Sequence, residues 1–265
     1  QTLLDDAKKK LLEVRRARPS PHLDDKILTD WNGLMIAAFA FASTVLEEPR
    51  YLEAAVRAGE FISQNLTDKG GRLLHRYRAG EAGIPGHLDD HAFMAHGYLT
   101  LYEATFQERW LQKAKETAGQ MIDLFYDDPE GGFFLSARDA EVLIAMPKEL
   151  YDGAVPSGNS YAVLILLKLA GISELPGFEK AAHRSLEAFS EELSSSPMNY
   201  PQMLAALDFA LGPSMEVLLA GEAADPAVKA MIREIYLRFL PNKIIMLKEP
   251  GKKIGQLSGF YETMG

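Results

Sequence analysis

The sequence predicts a mainly α protein built as an array of helical hairpins, with a small β-α-β unit at its end. Three observations carry this. Three segments open a helix in the same way: DWNGLMIAAFAFA (30–42), DDHAFMAHGYLTLYEA (89–104) and SGNSYAVLILLKLAG (157–171). Twenty residues after Trp31, Asp90 and Gly158, an aromatic residue opens a second helix, at Tyr51, Trp110 and Phe178. The repeat step is 59 residues and then 68 (Trp31 to Asp90 to Gly158). Long periods of paired helices imply units that bury their apolar faces on their neighbours. In this register Asn32, His91 and Asn159 are equivalent, preceded by Asp30, Asp89 and Ser157. Polar residues recurring at one end of each first helix gather on one rim, and function is expected there.

Taken in order, residues 2–16 read as a helix with apolar positions at Leu3, Leu4, Ala7, Leu11, Leu12 and Val14. Arg18-Pro-Ser-Pro21 stops it, because proline disfavours helix in the residue before it. The first hairpin comes next, capped at Thr29 or Asp30 and broken at Pro49. Asp89 caps the second, which turns near Gln107-Glu108; the third starts at Ser157 and turns at Leu175-Pro-Gly177. A fourth first helix is expected from about Asn199 to Leu211. Between hairpins, Asp68-Lys-Gly-Gly71 and the run from Asp127 to Phe134 supply the positive φ of tight turns. The residues after each turn suit short hairpin strands, or simply close a loop. Residues 215–221 read as a strand, 226–239 as a helix and 243–248 as a second strand, the length of a parallel β-α-β unit. Gly221-Glu-Ala-Ala lacks a glycine-rich phosphate loop, so this is no nucleotide fingerprint. The expected organisation is 1–212 hairpin array, 213–250 β-α-β unit and 251–265 irregular tail. About eight long helices fall short of the twelve that a closed ring of six hairpins needs, so either the ring is open or the missing helices lie outside this chain.

Composition narrows the classes. A net charge of −9 and a pI near 5.2 argue against a nucleic-acid groove or an anionic membrane surface. The longest apolar runs, such as Ala37 to Ser43, are too short to span a bilayer. With no cysteine there is no disulfide framework or zinc–thiolate site, and a cytoplasmic setting is expected. The chain does not begin with Met and is read as a fragment or a processed form. No cofactor is implied.

Three constellations hold chemistry. In Lys148 to Ser160, Glu149 and Asp152 offer acid or base, while Ser157, Asn159 and Ser160 offer hydrogen bonds at a helix start. Plain capping also explains Ser157 and Asp152-Gly153. In Gly86 to Ala92, His87, Asp89, Asp90 and His91 crowd one helix start, where a carboxylate beside an imidazole suits acid–base work. The spacing lacks the i, i+4 face and remote third ligand that a metal site requires. In Pro21 to Gly33, Asp24-Asp25 echo Asp89-Asp90, and Trp31 with Asn32 forms a sugar-binding type of pair, or Trp31 simply packs. His96 reads as a satisfied core histidine and Glu103 as a buried acid bonded to backbone.

RPSPHLDDKILTDWNGLMIAAFA, LYEATFQERWLQKA, DPEGGFF and KELYDGAVPSGNSYAVLILLKLAG together resemble the YyaL-type thioredoxin-domain proteins, a family with a spermatogenesis-associated mammalian member. The resemblance implies an α/α toroid like those of the six-hairpin glycosidases and N-acylglucosamine 2-epimerases. It also implies a thioredoxin-like domain as partner elsewhere in the parent protein. Met146 stands where many members have a basic residue. The expected function is a carbohydrate-directed central pocket. Asp25, Asp90, His91 and Glu149 would be its acid–base groups, and Trp31, Asn32, His87, Asp152, Ser157, Asn159 and Ser160 would bind substrate. If the chain is an enzyme, it is then a carbohydrate-active hydrolase or a sugar epimerase. The alternative is a non-catalytic recognition or scaffold module serving the thioredoxin-like domain.

Overall fold

The computed structural model describes residues 1–141 and 145–251. The expectation for the tail beyond residue 251 lies outside them. The first helix, α1 (Thr2–Arg16), buries none of its residues. A two-residue strand, β1 (Ile27–Leu28), leads into the first hairpin, α2 (Thr29–Leu46) and α3 (Pro49–Asn65). After Gly71 come β2 (Leu74–Arg78) and β3 (Glu81–Pro85). The second hairpin is α4 (Leu88–Thr105) and α5 (Glu108–Phe125). The third is α6 (Gly158–Ile172) and α7 (Pro176–Ala188), extended by the short α8 (Ser190–Ser195). Then α9 (Pro201–Leu211) stands as a fourth first helix. The end is β4 (Met215–Ala220), α10 (Pro226–Tyr236) and β5 (Lys243–Lys248).

The first helices pack side by side in the order α2, α4, α6, α9, with α3, α5 and α7 behind them. This is the hairpin array expected from the repeat, in the α/α-toroid arrangement that the family resemblance implies. Position in the row explains the sequence pattern of each helix. In the middle, α4 buries 14 residues, from Leu88 to Glu103, on almost every side. α5 instead buries a single stripe: Trp110, Leu111, Ala114, Thr117, Ala118, Met121 and Phe125. α2 and α4 cross closely because Gly33 faces Phe93: a Cβ at Gly33 would lie 2.5 Å from the Phe93 carbonyl carbon.

Both strand expectations gain detail. The first Gly-Gly segment does open a hairpin, with Arg78 opposite Glu81 across Ala79 and Gly80, both at positive φ as a type I′ turn requires. Among the described residues the second yields one bridge, Tyr126 to Phe133. β4 and β5 pair in parallel, as the spacing predicted. Side chains on β5 alternate: Ile244 and Met246 join the main helical core, while Ile245 and Leu247 pack with Leu219 and Val228 beneath α10. The helix expected to reach Phe239 ends at Tyr236, and Phe239 is 92% exposed.

Candidate functional site

The helix starts of α2, α4 and α6 meet on one rim, and the Asp89-Asp90 pair of α4 joins them. Asp90 reaches back. Its Oδ1 accepts the backbone N–H of Asp30 at 3.0 Å, and its Oδ2 accepts that of His87 at 2.8 Å. Asp89 reaches forward to the backbone N–H of Gly158 at the start of α6. Only glycine permits this approach, since a Cβ at Gly158 would lie 2.2 Å from Asp89 Oδ1. Carboxylates at these helix N-termini, from the first turns of α2 and α4 and from Asp89 reaching over to α6, are favoured by the orphan N–H groups and the helix dipoles.

A residue that sequence reasoning passed over completes the cluster. His75, on β2, places Nδ1 3.0 and 3.1 Å from the two oxygens of Asp90. This hydrogen bond to a carboxylate raises the His75 pKa, against the lowering effect of burial. The His87 ring lies beside it, with centroids 5.4 Å apart. Burial raises the Asp30 carboxyl, and Asp90 adds repulsion. Asp89 is pushed up to about 6, first by burial and then by repulsion from Asp30, Asp90 and Glu149. Asp30, His75 and Asp90 each offer an atom within 4.8 Å of the others. Asp90 already accepts three N–H donors, so a cation there would have to displace His75. Carboxyls and an imidazole with raised pKa values are thus brought together at one place.

The other expected site residues are dispersed. His91 is wholly buried against Phe125, its ring centroid 5.0 Å away. Its Nδ1 donates to the His87 carbonyl at 3.0 Å, Nε2 is buried without a partner among the described residues, and burial lowers its pKa to about 4. Enclosed against Phe125 and bonded to its own helix start, it presents no exposed nitrogen, which corrects the acid–base role expected of it. Asn32, its repeat equivalent, likewise donates to the carbonyl four residues back, Leu28 at 2.7 Å. Asn159 is wholly buried: it accepts from Phe133 N–H at 2.8 Å and donates to the Phe133 and Glu149 carbonyls. Asp152 accepts from Ser157 N–H and from the N–H groups of Gln202 and Met203 at the start of α9. Ser157 caps α6 by accepting from Ser160 N–H, and the two hydroxyls lie 2.8 Å apart. Asn159, Asp152 and Ser157 are occupied with holding backbone and Ser160 with the Ser157 hydroxyl, against the substrate-binding role expected of these four. Asp25 is exposed and paired with Arg78 at 2.6 Å, outside the cluster. Glu149 is exposed next to Asp89, and Trp31 is 58% exposed at the start of α2, beside Asp30. His96 packs on Tyr161 at 4.9 Å, and Glu103 is buried with no hydrogen bond to backbone among the described residues.

No family model matches the chain. It is 32% identical to human spermatogenesis-associated protein 20, over 100% of this chain and 35% of that protein. The rat protein of the same name is 32% identical, over 94% of this chain and 33% of its own length. The chain is a homologue of spermatogenesis-associated protein 20. It spans about a third of the length of these relatives. Among solved structures, cellobiose 2-epimerase from Spirochaeta thermophila superposes at a TM-score of 0.51 with 19% identity, over 62% of this chain and 43% of that one. A glycoside hydrolase family 76 mannosidase from Bacteroides thetaiotaomicron gives 0.52 and 18%, over 68% and 49%. An unsaturated glucuronyl hydrolase from a Bacillus species gives 0.51 and 15%, over 65% and 49%. These likenesses establish the α/α-toroid fold.

Proposed function

We propose that the rim cluster is a carbohydrate-directed acid–base site. The observation that carries the reading is the meeting of Asp89, Asp30 and the His75–Asp90 pair where three first helices start. Asp89, held near 6, is poised to give a proton to a leaving or ring oxygen. His75, oriented by Asp90, takes or returns a proton, and Asp30 or Glu149 balances developing positive charge. Trp31 presents an indole face on which the apolar side of a pyranose stacks. Solved proteins of the same fold named as a cellobiose epimerase and a mannosidase support the choice of substrate class. The thioredoxin-like partner domain and a cytoplasmic setting belong to the same proposal. No described helix is long and apolar enough to cross a membrane.

One observation favours the second reading, a non-catalytic recognition module. Asn159, Ser157 and Asp152 are committed to backbone, and the Ser160 hydroxyl is paired with that of Ser157. A sugar panel decides between the two, read by thermal shift and by release or isomerisation of product, with Asp89→Asn and His75→Gln variants. The catalytic reading expects turnover lowered at least about 100-fold by each variant. Binding without turnover in the unaltered protein selects the recognition module, and neither binding nor turnover removes both.

A further inference from the structure

We propose that a cavity bounded by α2, α4 and α6 binds a monocarboxylate with an apolar body. The cavity has a volume of about 720 Å³, within the range of small-molecule sites. Three helix faces converge on it: Leu34 and Phe41 from α2, His96 and Glu103 from α4, Tyr161 and Lys168 from α6. Each pair is seven residues apart and so shares one helix face. The segment after α10, up to Lys243, closes the far side.

Charge and polarity indicate the ligand. Glu103 is the one acid among the lining residues, against Lys168, Lys243 and Arg238. Glu103 faces Lys243, whose ammonium also lies over the Tyr236 ring at 4.7 Å and donates to the Leu240 carbonyl at 3.2 Å. Arg238 pairs with Glu234. Lys168 has no ion pair among the described residues, yet its charge acts on both His96 and Lys243. A positive remainder lining a half-buried cavity stands out in a chain of net charge −9, because an unpaired charge away from water costs free energy that a counter-ion offsets. Burial, aided by Lys168, holds His96 down to about 3, so its neutral imidazole offers one donor and one acceptor beside that ammonium. The α2 wall, with Ala37, Ala38 and Val45 between and beyond Leu34 and Phe41, has no polar side chain. A sugar would leave hydroxyls unpaired there, whereas an alkyl or aryl body would not. Asp89, His96 and Glu103 are seven apart on α4, so the cavity begins about 10 Å below the rim. The acidic rim repels an anion that the cavity attracts, which separates this site from the proposed sugar site.

The test is calorimetric titration with sodium octanoate and, separately, 1-octanol. The comparison is between the unaltered protein, Lys168→Met, Lys168→Arg and the surface control Lys180→Met. Octanoate is expected to bind the unaltered protein and Lys180→Met alike, to lose at least about tenfold in Lys168→Met, and to recover within a few-fold in Lys168→Arg. Octanol is expected to bind more weakly and equally to all four. Absence of octanoate binding, equal loss in Lys180→Met, or equal affinity for octanol and octanoate would each overturn the proposal. Circular dichroism spectra of the variants identify any loss caused by misfolding, and Lys168→Arg then carries the comparison.

Discussion

Replacing Asp90 should be among the most damaging single changes on the rim. Its carboxylate is wholly buried and accepts from Asp30 N–H at 3.0 Å, His87 N–H at 2.8 Å and His75 Nδ1 at 3.0 Å. Hydrogen bonds to a charged group contribute roughly 1.5–3 kcal/mol each, and an N-terminal cap about 1. The three do not add fully, because water reaches His75, whose side chain is 23% exposed. One term opposes: removing Asp90 relieves repulsion on Asp30 and Asp89. Burial is the first cause of the shift at both, so this relief is the smaller effect. The net expectation for Asp90→Ala is a loss of about 3–5 kcal/mol. Asp90→Asn should lose about 2–3 kcal/mol, because the amide keeps one acceptor oxygen but turns N–H groups toward other donors. Urea unfolding monitored by circular dichroism measures the loss, and the slope should stay unchanged. In parallel, the imidazole titration of His75 by NMR should move to lower pH. A loss below about 1 kcal/mol for Asp90→Ala, or an unmoved His75 titration, would refute the account of Asp90 as the tie between three elements.

The same geometry sets other expectations. Gly158→Ala should push Asp89 off the α6 start and cost about 1–3 kcal/mol by thermal unfolding, with the proposed sugar binding weakened. His91 has a folded pKa lowered to about 4, so its contribution is present above its ordinary value of 6.5 and is lost as pH falls toward 4. His91→Phe should therefore remove roughly 3 kcal/mol of the stability difference between pH 7 and pH 4, read from urea midpoints. Asp89 has the opposite sign. With its folded pKa raised to about 6, stability is greatest below its ordinary 3.8 and declines as pH rises through 6, and Asp89→Asn should flatten that decline. Asp25→Ala breaks only an exposed pair with Arg78 and should change stability by less than about 1 kcal/mol while leaving ligand binding intact.

Much of the fold was legible because its signals are local. The repeated helix starts, Pro49 and Pro176 at the second helices and the Gly-Gly turns each act through the backbone of a few residues. They place the elements to within a residue or two. The β-α-β unit was readable for the same reason, from an apolar run, a helix and a second apolar run of the right lengths. The site was legible only as a place. Asp89, Asp90 and Trp31 stand at the starts of α2 and α4, but His75 was overlooked because a histidine in a strand has no spacing that points 15 residues ahead to Asp90.

The sequence by itself determined the hairpin array and which end of it carries the polar residues, since period and capping are written into neighbouring positions. The tertiary structure decided which of those residues are taken up by partners. Asn32 and His91 occupy the same repeat position and turn back to their own helices, while Asn159 clamps a loop 26 residues away. The contact between Asp90 and Asp30 spans 60 residues. Such partners are set by how the helices pack against one another, and no local pattern contains that packing.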